Sequence, residues 1–211
     1  MKGIKFNDVH SYRDLNLVLS KVDISPATPK TNFIDIPGGD GSVDATEAVG
    51  EVKFNDRKCT FTFAVLPTDN YEDKKTAVSN LLNGKRCKII LDKDPNYYYL
   101  GRLSVDEYAS SKQLKQIVIG ATVAPYKLKL AETVVYIPAG EEVNAVLNNG
   151  RKAVVPTITN TKPATIVFGG QTSNINAGTH KLLGIWLKQG ENPITVTSDD
   201  PVKFSWQEGD L

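Results

Sequence analysis

Short stretches in which apolar and polar residues alternate limit most strongly how this chain can fold. Leu15, Leu17 and Leu19 form the first stretch, and residues 117–123 form a later one. Alternation places every second side chain on the same face of an extended strand, so each stretch indicates a half-buried β-strand. Because such stretches recur through all 211 residues, we predict a mainly β protein.

The first 131 residues predict an antiparallel β domain, split-barrel or sandwich-like, with one packed helix. The apolar positions change parity between Leu19 and Val22, which indicates a bulge or bend. A polar link is expected at residues 110–112. The strands are expected at residues 15–19, 22–24, 52–54, 60–66, 87–91, 97–105 and 117–123, with a turn at 92–96.

The helix of this domain is predicted over about residues 69–83. Asp69 can cap its N-terminus, with Glu72 as the partner in a capping box. Asn83-Gly84 ends it, because glycine accepts the left-handed backbone found at helix termini. The face expected to pack inward contains Tyr71, Lys75, Val78 and Leu82.

Residues 132–211 predict a second domain, a β-sandwich without a helix. Its apolar stretches are short and are separated by turn residues such as Asn148-Asn149-Gly150. This spacing is typical of a sandwich. The seven strands are expected at residues 133–137, 143–147, 153–158, 165–168, 182–187, 194–196 and 202–206.

Residues 25–51 carry little core-forming pattern. Compact domains seldom contain so long a segment without a function, and we interpret it as an arm that reaches a neighbouring subunit. Its acidic residues lack the spacing of a calcium loop, and we expect them to be solvated or to face basic residues of another subunit. The candidate inter-subunit residues are Pro26, Pro29, Pro37, Gly38, Gly39, Asp40 and Gly41.

No set of residues points to catalysis, and we predict that the protein is not an enzyme and has no cofactor or metal. Residues 37–42 are rich in glycine, but the Lys-Ser/Thr pair of a phosphate-binding loop does not follow. His10 and His180 lie in different predicted domains. With 25 basic and 24 acidic residues, the chain lacks the basic excess of a nucleic-acid or membrane-surface binder.

Two cysteines and the N-terminus bear on the cellular compartment. Cys59 and Cys87 share strand parity with apolar neighbours, which favours two free thiols in a core and leaves a disulfide between them open. No apolar stretch follows the charged N-terminus, and no run reaches the length of a membrane span. We therefore expect synthesis in a cytoplasm.

Trp186 is the candidate exposed contact residue. In the strand predicted at 182–187, Leu183, Ile185 and Leu187 share one face and Trp186 lies on the other. An outward tryptophan can stack on a sugar ring or anchor a protein contact. The alternative is that a loop or the first domain covers it.

Several motifs, taken in order, resemble the siphophage distal tail (Dit) proteins. The segment 36–46, followed by strands through Arg57 and Phe61, is similar to that family's N-terminal signature, although Gly39 stands where many relatives have a basic residue. The predicted helix falls between this signature and the later motifs, as in the family. The later motifs lie at residues 98–102, 124–126, 149–150, 156 and 187–194.

The resemblance implies a structural virion protein of the phage tail tip, made in the cytoplasm of the bacterial host. The N-terminal domain would form a ring-shaped hub, expected to be a hexamer, in which the arm clasps the next subunit. The galectin-like or carbohydrate-module-like C-terminal sandwich would point outward. The partners implied are the tail tube protein, a tail-associated lysin or tail fibre protein, and a receptor-binding protein or cell-wall carbohydrate.

Two other functions fit parts of the chain. The second domain and Trp186 also fit a carbohydrate-binding module or lectin-like adhesin that recognises bacterial cell-wall polysaccharide. Baseplate parts of contractile phages and of phage-derived particles have related folds, and the gene could belong to an active phage or a prophage. These alternatives stay open on the sequence.

Overall fold

A computed structural model describes residues 3–48, 50–67, 69–110 and 115–211 of the protein. The chain divides into two compact units, Met1–Lys127 and Leu128–Asp210, with Leu211 grouped with the first. Antiparallel strands dominate both units, so the prediction of a mainly β protein is confirmed. The polar link expected at 110–112 lies largely outside the described residues.

The described residues of the first unit form nine strands and the helix. Several strands extend past their predicted limits, and the expected turn at 92–96 is short because the long strand β8 already begins at Asp94. The elements are β1 (Ile4–Phe6), β2 (Val9–His10), β3 (Leu17–Ile24), β4 (Phe33–Asp35), β5 (Ser42–Asp44), β6 (Arg57–Val65), α1 (Tyr71–Leu82), β7 (Arg86–Leu91), β8 (Asp94–Ser110) and β9 (Lys115–Val123).

Seven of these strands form one strongly coiled sheet, in the order β2-β1-β7-β8-β9-β6-β3. Four inter-strand steps separate β1 from β6, which would be about 19 Å in a flat sheet. However, the rings of Phe6 on β1 and Phe61 on β6 lie with centroids 6.1 Å apart. The sheet therefore curls into an open barrel whose inner faces meet.

Alternation explains the core of this barrel. In β6, Cys59, Phe61, Phe63 and Val65 point inward, and the residues between them are more exposed. The pairing of β3 with β6 shifts register between Leu19 and Lys21, which confirms the bulge inferred from the parity change.

The helix packs on this barrel nearly as predicted, but its cap differs. The side chain of Asn70, not Asp69, accepts the backbone N–H of Glu72, so the predicted capping box is wrong. Asp69 instead accepts a hydrogen bond from Asn16 and forms an ion pair with Lys74 at 3.3 Å. The buried face is Tyr71, Val78 and Leu82.

The Tyr71 hydroxyl fixes the helix to the β8–β9 hairpin. It lies 2.9 Å from the Ala109 carbonyl oxygen and 2.8 Å from that of Gln116. Lys75, predicted on the inward face, places its ammonium 5.5 Å from the centre of the Tyr71 ring and 5.2 Å from that of Tyr108. The lysine therefore packs its stem while its charge stays at the surface.

The strand expected at 52–54, in the first unit, is absent, and only an isolated bridge at Phe54 is found there.

The second unit contains most of the remaining strands. The strands from Lys127 onward are β10 (Lys127–Lys129), which begins at the last residue of the first unit, β11 (Thr133–Ile137), β12 (Gly140–Asn149), β13 (Thr157–Asn160), β14 (Ala164–Phe168), β15 (Gln171–Ile175), β16 (Gly178–His180), β17 (Gly190–Ser198), β18 (Val202–Trp206) and β19 (Gly209–Asp210).

Two four-stranded sheets make this unit a β-sandwich. Their strand orders are β11-β18-β13-β16 and β12-β17-β14-β15. Both sheets contribute to one apolar core, for example through Phe204 of the first and Ile166 of the second. The strand expected at 182–187 is wrong: residues 183–184 form a turn, and only Leu187 makes an isolated bridge, to Val154.

Both cysteines are free and buried in the first core. Burial raises the pKa of the Cys59 thiol to about 11, against the opposing effect of Arg57, and also raises the pKa of Cys87. Because the thiolate is the reactive form, we expect neither thiol to react readily with Ellman's reagent at pH 8 in the native protein. After denaturation without a reductant, both thiols should react with the reagent. If no thiol reacts under these conditions, Cys59 and Cys87 form a disulfide.

Candidate subunit-contact surface

The arm, residues 25–51, is tied at its base to the chain just before β6. The Ser25 N–H donates to the Lys58 carbonyl at 3.0 Å, and the Lys30 N–H donates to the Lys53 carbonyl at 2.7 Å. Pro29 forms an antiparallel bridge with Phe54. Of the candidate residues, Pro26 and Pro29 therefore lie in the base of the arm.

The outer part of the arm is a β-hairpin, which the sequence analysis missed. Strand β4 pairs with β5 in the register Phe33–Asp44, Ile34–Val43 and Asp35–Ser42. The other candidates, at 37–41, lie in the turn that joins these strands. Gly38 and Gly41 adopt φ values of +77° and +73°, which favour glycine. The signal was present: two short β-prone runs flank a Pro-Gly-Gly-Asp-Gly turn.

Apolar side chains on this hairpin are exposed. Phe33, Ile34, Ile36 and Val43 each expose at least half of their surface, and none belongs to the core of the first unit. An isolated two-stranded hairpin is marginally stable in water. Grouped exposed apolar residues commonly mark a protein-contact site. The hairpin is therefore a candidate protein-contact surface.

The arm also carries concentrated negative charge. Residues 31–51 contain five carboxylates and no lysine or arginine. The Thr46 hydroxyl and backbone N–H beside Asp44 lower the pKa of that carboxyl. Asp35 accepts a hydrogen bond from the Ser42 hydroxyl at 2.6 Å. The arm thus combines an apolar hairpin with an anionic rim.

Trp186 lies exposed on the second unit. It exposes 44% of its surface, whereas its neighbours Ile185 and Leu187 are buried and anchor the segment. Leu183, which was expected to share their face, is 83% exposed because it lies in a turn closed by the Ile185 N–H and the Leu182 carbonyl. Trp186 and Leu183 therefore present two large apolar side chains next to this turn.

The first histidine has a structural role. His10 is buried, and its Nδ1 accepts the N–H groups of Tyr12 and Arg13 at 3.1 and 3.2 Å, which leaves Nε2 to face Asp92 at 3.1 Å. Burial would raise the pKa of Asp92, but the Gly3 N–H and His10 together lower it. This network fixes the start of the chain to the end of β7.

His180 is separate from this network, in the second unit, where its Nε2 lies 2.8 Å from the Asn176 carbonyl. Within the described ranges, no group of three or more His, Cys, Asp or Glu residues is placed to hold a metal ion. No helix in that part of the chain has both the length and the apolar character to cross a membrane.

The fold, an open barrel with one helix followed by a β-sandwich, is like that of a solved phage distal tail protein. That solved structure is the Dit protein of phage SPP1, described as a paradigm of the hub adsorption apparatus in phages that infect Gram-positive bacteria. The two superpose with a TM-score of 0.72 over 100% of both chains, at 13% sequence identity. Identity this low shows the fold alone.

The other comparisons add nothing to this assignment. A de novo designed double-stranded β-helix matches 37% of this chain and 97% of its own at 24% identity, with a TM-score of only 0.25. No family model matches the chain, and no curated protein matches it.

Proposed function

We propose that this chain is a structural subunit of a phage tail tip, in which six copies form a ring-shaped hub between the tail tube and the host-adsorption apparatus. The observation that supports this most strongly is the likeness to the SPP1 Dit protein over the full length of both chains, barrel and sandwich included. The function follows from geometry and requires no catalytic residue.

The arm supplies the means of association. A contact between different surfaces of identical subunits generates a ring when its rotation closes. The hairpin offers four exposed apolar side chains that contribute nothing to the subunit's own core. A standard protein interface buries about 1,600 Å². An arm that lies across the neighbour can add much of that area at every junction of the ring.

The two domains then have separate roles. Residues 1–131 form the ring, and the sandwich at 132–211 points outward as a galectin-like or carbohydrate-module-like domain. The tail tube protein would contact one side of the ring, and a tail-associated lysin or tail fibre protein the other. The assembled protein belongs to the virion, after synthesis in the cytoplasm of the bacterial host.

Negative-stain electron microscopy and native mass spectrometry of the purified protein test this proposal. We expect closed rings with a central channel and a mass of six subunits. When the cognate tail tube protein is added, it should stack on only one face of the ring. A protein that stays monomeric at its highest soluble concentration, alone and with the tube protein, would contradict a hub.

A second candidate function is carbohydrate binding by the sandwich, which the exposure of Trp186 and Leu183 favours. On this function, host cell-wall polysaccharide should bind saturably in calorimetric titration. Trp186→Ala should weaken that binding about fivefold or more, because stacking on an aromatic face contributes on the order of 1 kcal/mol beyond buried area.

Tyr136→Ala is the matched control for this titration, because Tyr136 is another exposed aromatic residue of the same unit. The control should bind as the wild type does. Equal losses in both variants, or no binding by the wild type, would reject the sugar site while leaving the ring proposal unaffected.

A further inference from the structure

We propose that the anionic arm of one subunit docks on a basic row that crosses the outer face of the barrel in the next subunit. The basic row consists of Arg86, Arg102 and Lys58, with the neutral Thr122 between Arg102 and Lys58. This inference rests on the proposed function, because it requires the arm to reach a neighbouring copy.

Strand register brings the row together. Arg86 on β7 is paired with Arg102 on β8, Arg102 with Thr122 on β9, and Thr122 with Lys58 on β6. Directly opposed residues project from the same face of a sheet. All four are exposed, while the residues that follow them along their strands are buried. The row spans three inter-strand steps, about 14 Å.

A shallow groove accompanies the row. It has a volume of about 520 Å³, and its polar lining includes Asp56, Arg86, Arg102, Ser104 and Thr122. Two arginines and one aspartate leave this lining positive, and Lys58 extends the positive charge along the row. Asp106, near this face, already accepts a hydrogen bond from Ser104.

The Arg86–Arg102 pair is expected to lower the stability of the sheet in the isolated subunit. Like charges directly opposite each other in a sheet destabilise it. None of the eight ion pairs found between described side chains includes Arg86, Arg102 or Lys58. Arg102 donates one hydrogen bond to the Gly84 carbonyl oxygen. An anionic partner would relieve this repulsion, and bidentate guanidinium–carboxylate pairs would give it a defined register.

A second copy of this chain supplies that partner. The five carboxylates of residues 31–51 lie in a chain whose formal net charge is +1, so the rest of the chain carries a net charge of +6. Negative charge is therefore concentrated in the arm, and the rest of the chain carries a net positive charge. A nucleic acid is the other polyanion that could fit, but a chain built to bind one usually carries a net basic excess.

A charge-swap experiment on the full chain tests the docking. Arg86→Glu/Arg102→Glu should raise the ring dissociation constant at least tenfold, measured by light scattering and mass photometry. Adding Asp40→Arg/Glu47→Arg should restore at least half of the lost association, because both arm positions are exposed. Arg151→Glu/Lys181→Glu makes the same charge change on exposed positions of the second unit and should leave the rings intact.

Zero-length carbodiimide cross-linking gives a second measurement. In rings mixed from ¹⁴N and ¹⁵N copies, the Lys58 amine and an arm carboxyl should condense to an amide with loss of water. The mass spectrum should show mixed-isotope cross-linked peptides. Rings that yield no such peptide would overturn the docking. It would also be overturned if Arg86→Glu/Arg102→Glu dissociated the rings, the arm substitutions did not restore them, and the same swap abolished binding to a DNA oligonucleotide.

The outcomes separate the two proposals. Rings that survive removal of the arm would reject the arm as a clasp. Rings that need the arm but tolerate the Arg86→Glu/Arg102→Glu swap would reject only the basic row as its acceptor.

Discussion

Replacing residues 31–52 with Asn-Gly should convert rings of this protein into folded monomers. Lys30 and Lys53 already face each other through a backbone hydrogen bond of 2.7 Å, so a two-residue turn can join them. The deletion removes the apolar hairpin and all five carboxylates of the arm. It leaves the base of the arm in place, which a deletion that began at Pro26 would disturb.

The deletion should cost little stability because no residue of the hairpin belongs to the apolar core. Surface changes of this kind usually alter the free energy of unfolding by no more than about 0.5 kcal/mol. Light scattering coupled to size-exclusion chromatography would measure the mass, and circular dichroism on heating would measure stability. Intact rings would show that another surface closes them, and an unfolded product would show that the arm is part of the fold.

Phe61→Ala should destabilise the first unit by about 3–5 kcal/mol, the usual cost of truncating a buried phenylalanine. Phe61 is fully buried, packs edge-to-face on Phe6 and is paired in the sheet with Val22 and Ile119. Its removal leaves a cavity where both sides of the barrel meet. Hydrogen exchange of the β6 and β9 amides would report the loss without assuming that both units unfold together.

Phe33→Ala is the matched control, since Phe33 is 58% exposed on the hairpin. In the monomer it should change stability by less than about 0.5 kcal/mol, while it weakens ring formation. Phe61→Leu, which keeps most of the volume, should cost less than Phe61→Ala. A large stability loss in monomeric Phe33→Ala would mean that the hairpin packs on its own barrel.

The sequence predicted the strands best where one face is buried and the other is wet. Residues 133–137 and 202–206 alternate cleanly, and their limits match β11 and β18. Strand β15 was missed because only Ile175 in it is buried, so no alternation marks it. Residues 182–187 alternate as well, yet Leu183 projects from a turn, because period two alone does not report hydrogen-bonded pairing.

The sequence also could not predict which of two adjacent residues takes a given role when both are suited to it. Asp69 and Asn70 are both good helix caps, and the choice depends on Lys74 and Asn16, which hold Asp69 elsewhere. The basic row could not be found either, because residues 58, 86, 102 and 122 meet only once the strand order is known. The role of the arm as a clasp stays a prediction for the deletion experiment.

The bulge in β3 affects whether further copies of this protein could add to the edge of the barrel sheet, strand by strand, without limit. β3 ends the order of the barrel sheet, and an exposed strand at such a position invites further strands to add to it. Here the shift at Leu19–Lys21 distorts the ladder, and an exposed pair of charges, Lys21 and Asp23, sits 2.6 Å apart along it. Both features discourage open-ended polymerisation into fibres. In the proposed ring, self-association would thereby be directed away from this strand and toward surfaces that can stop at a fixed number of copies.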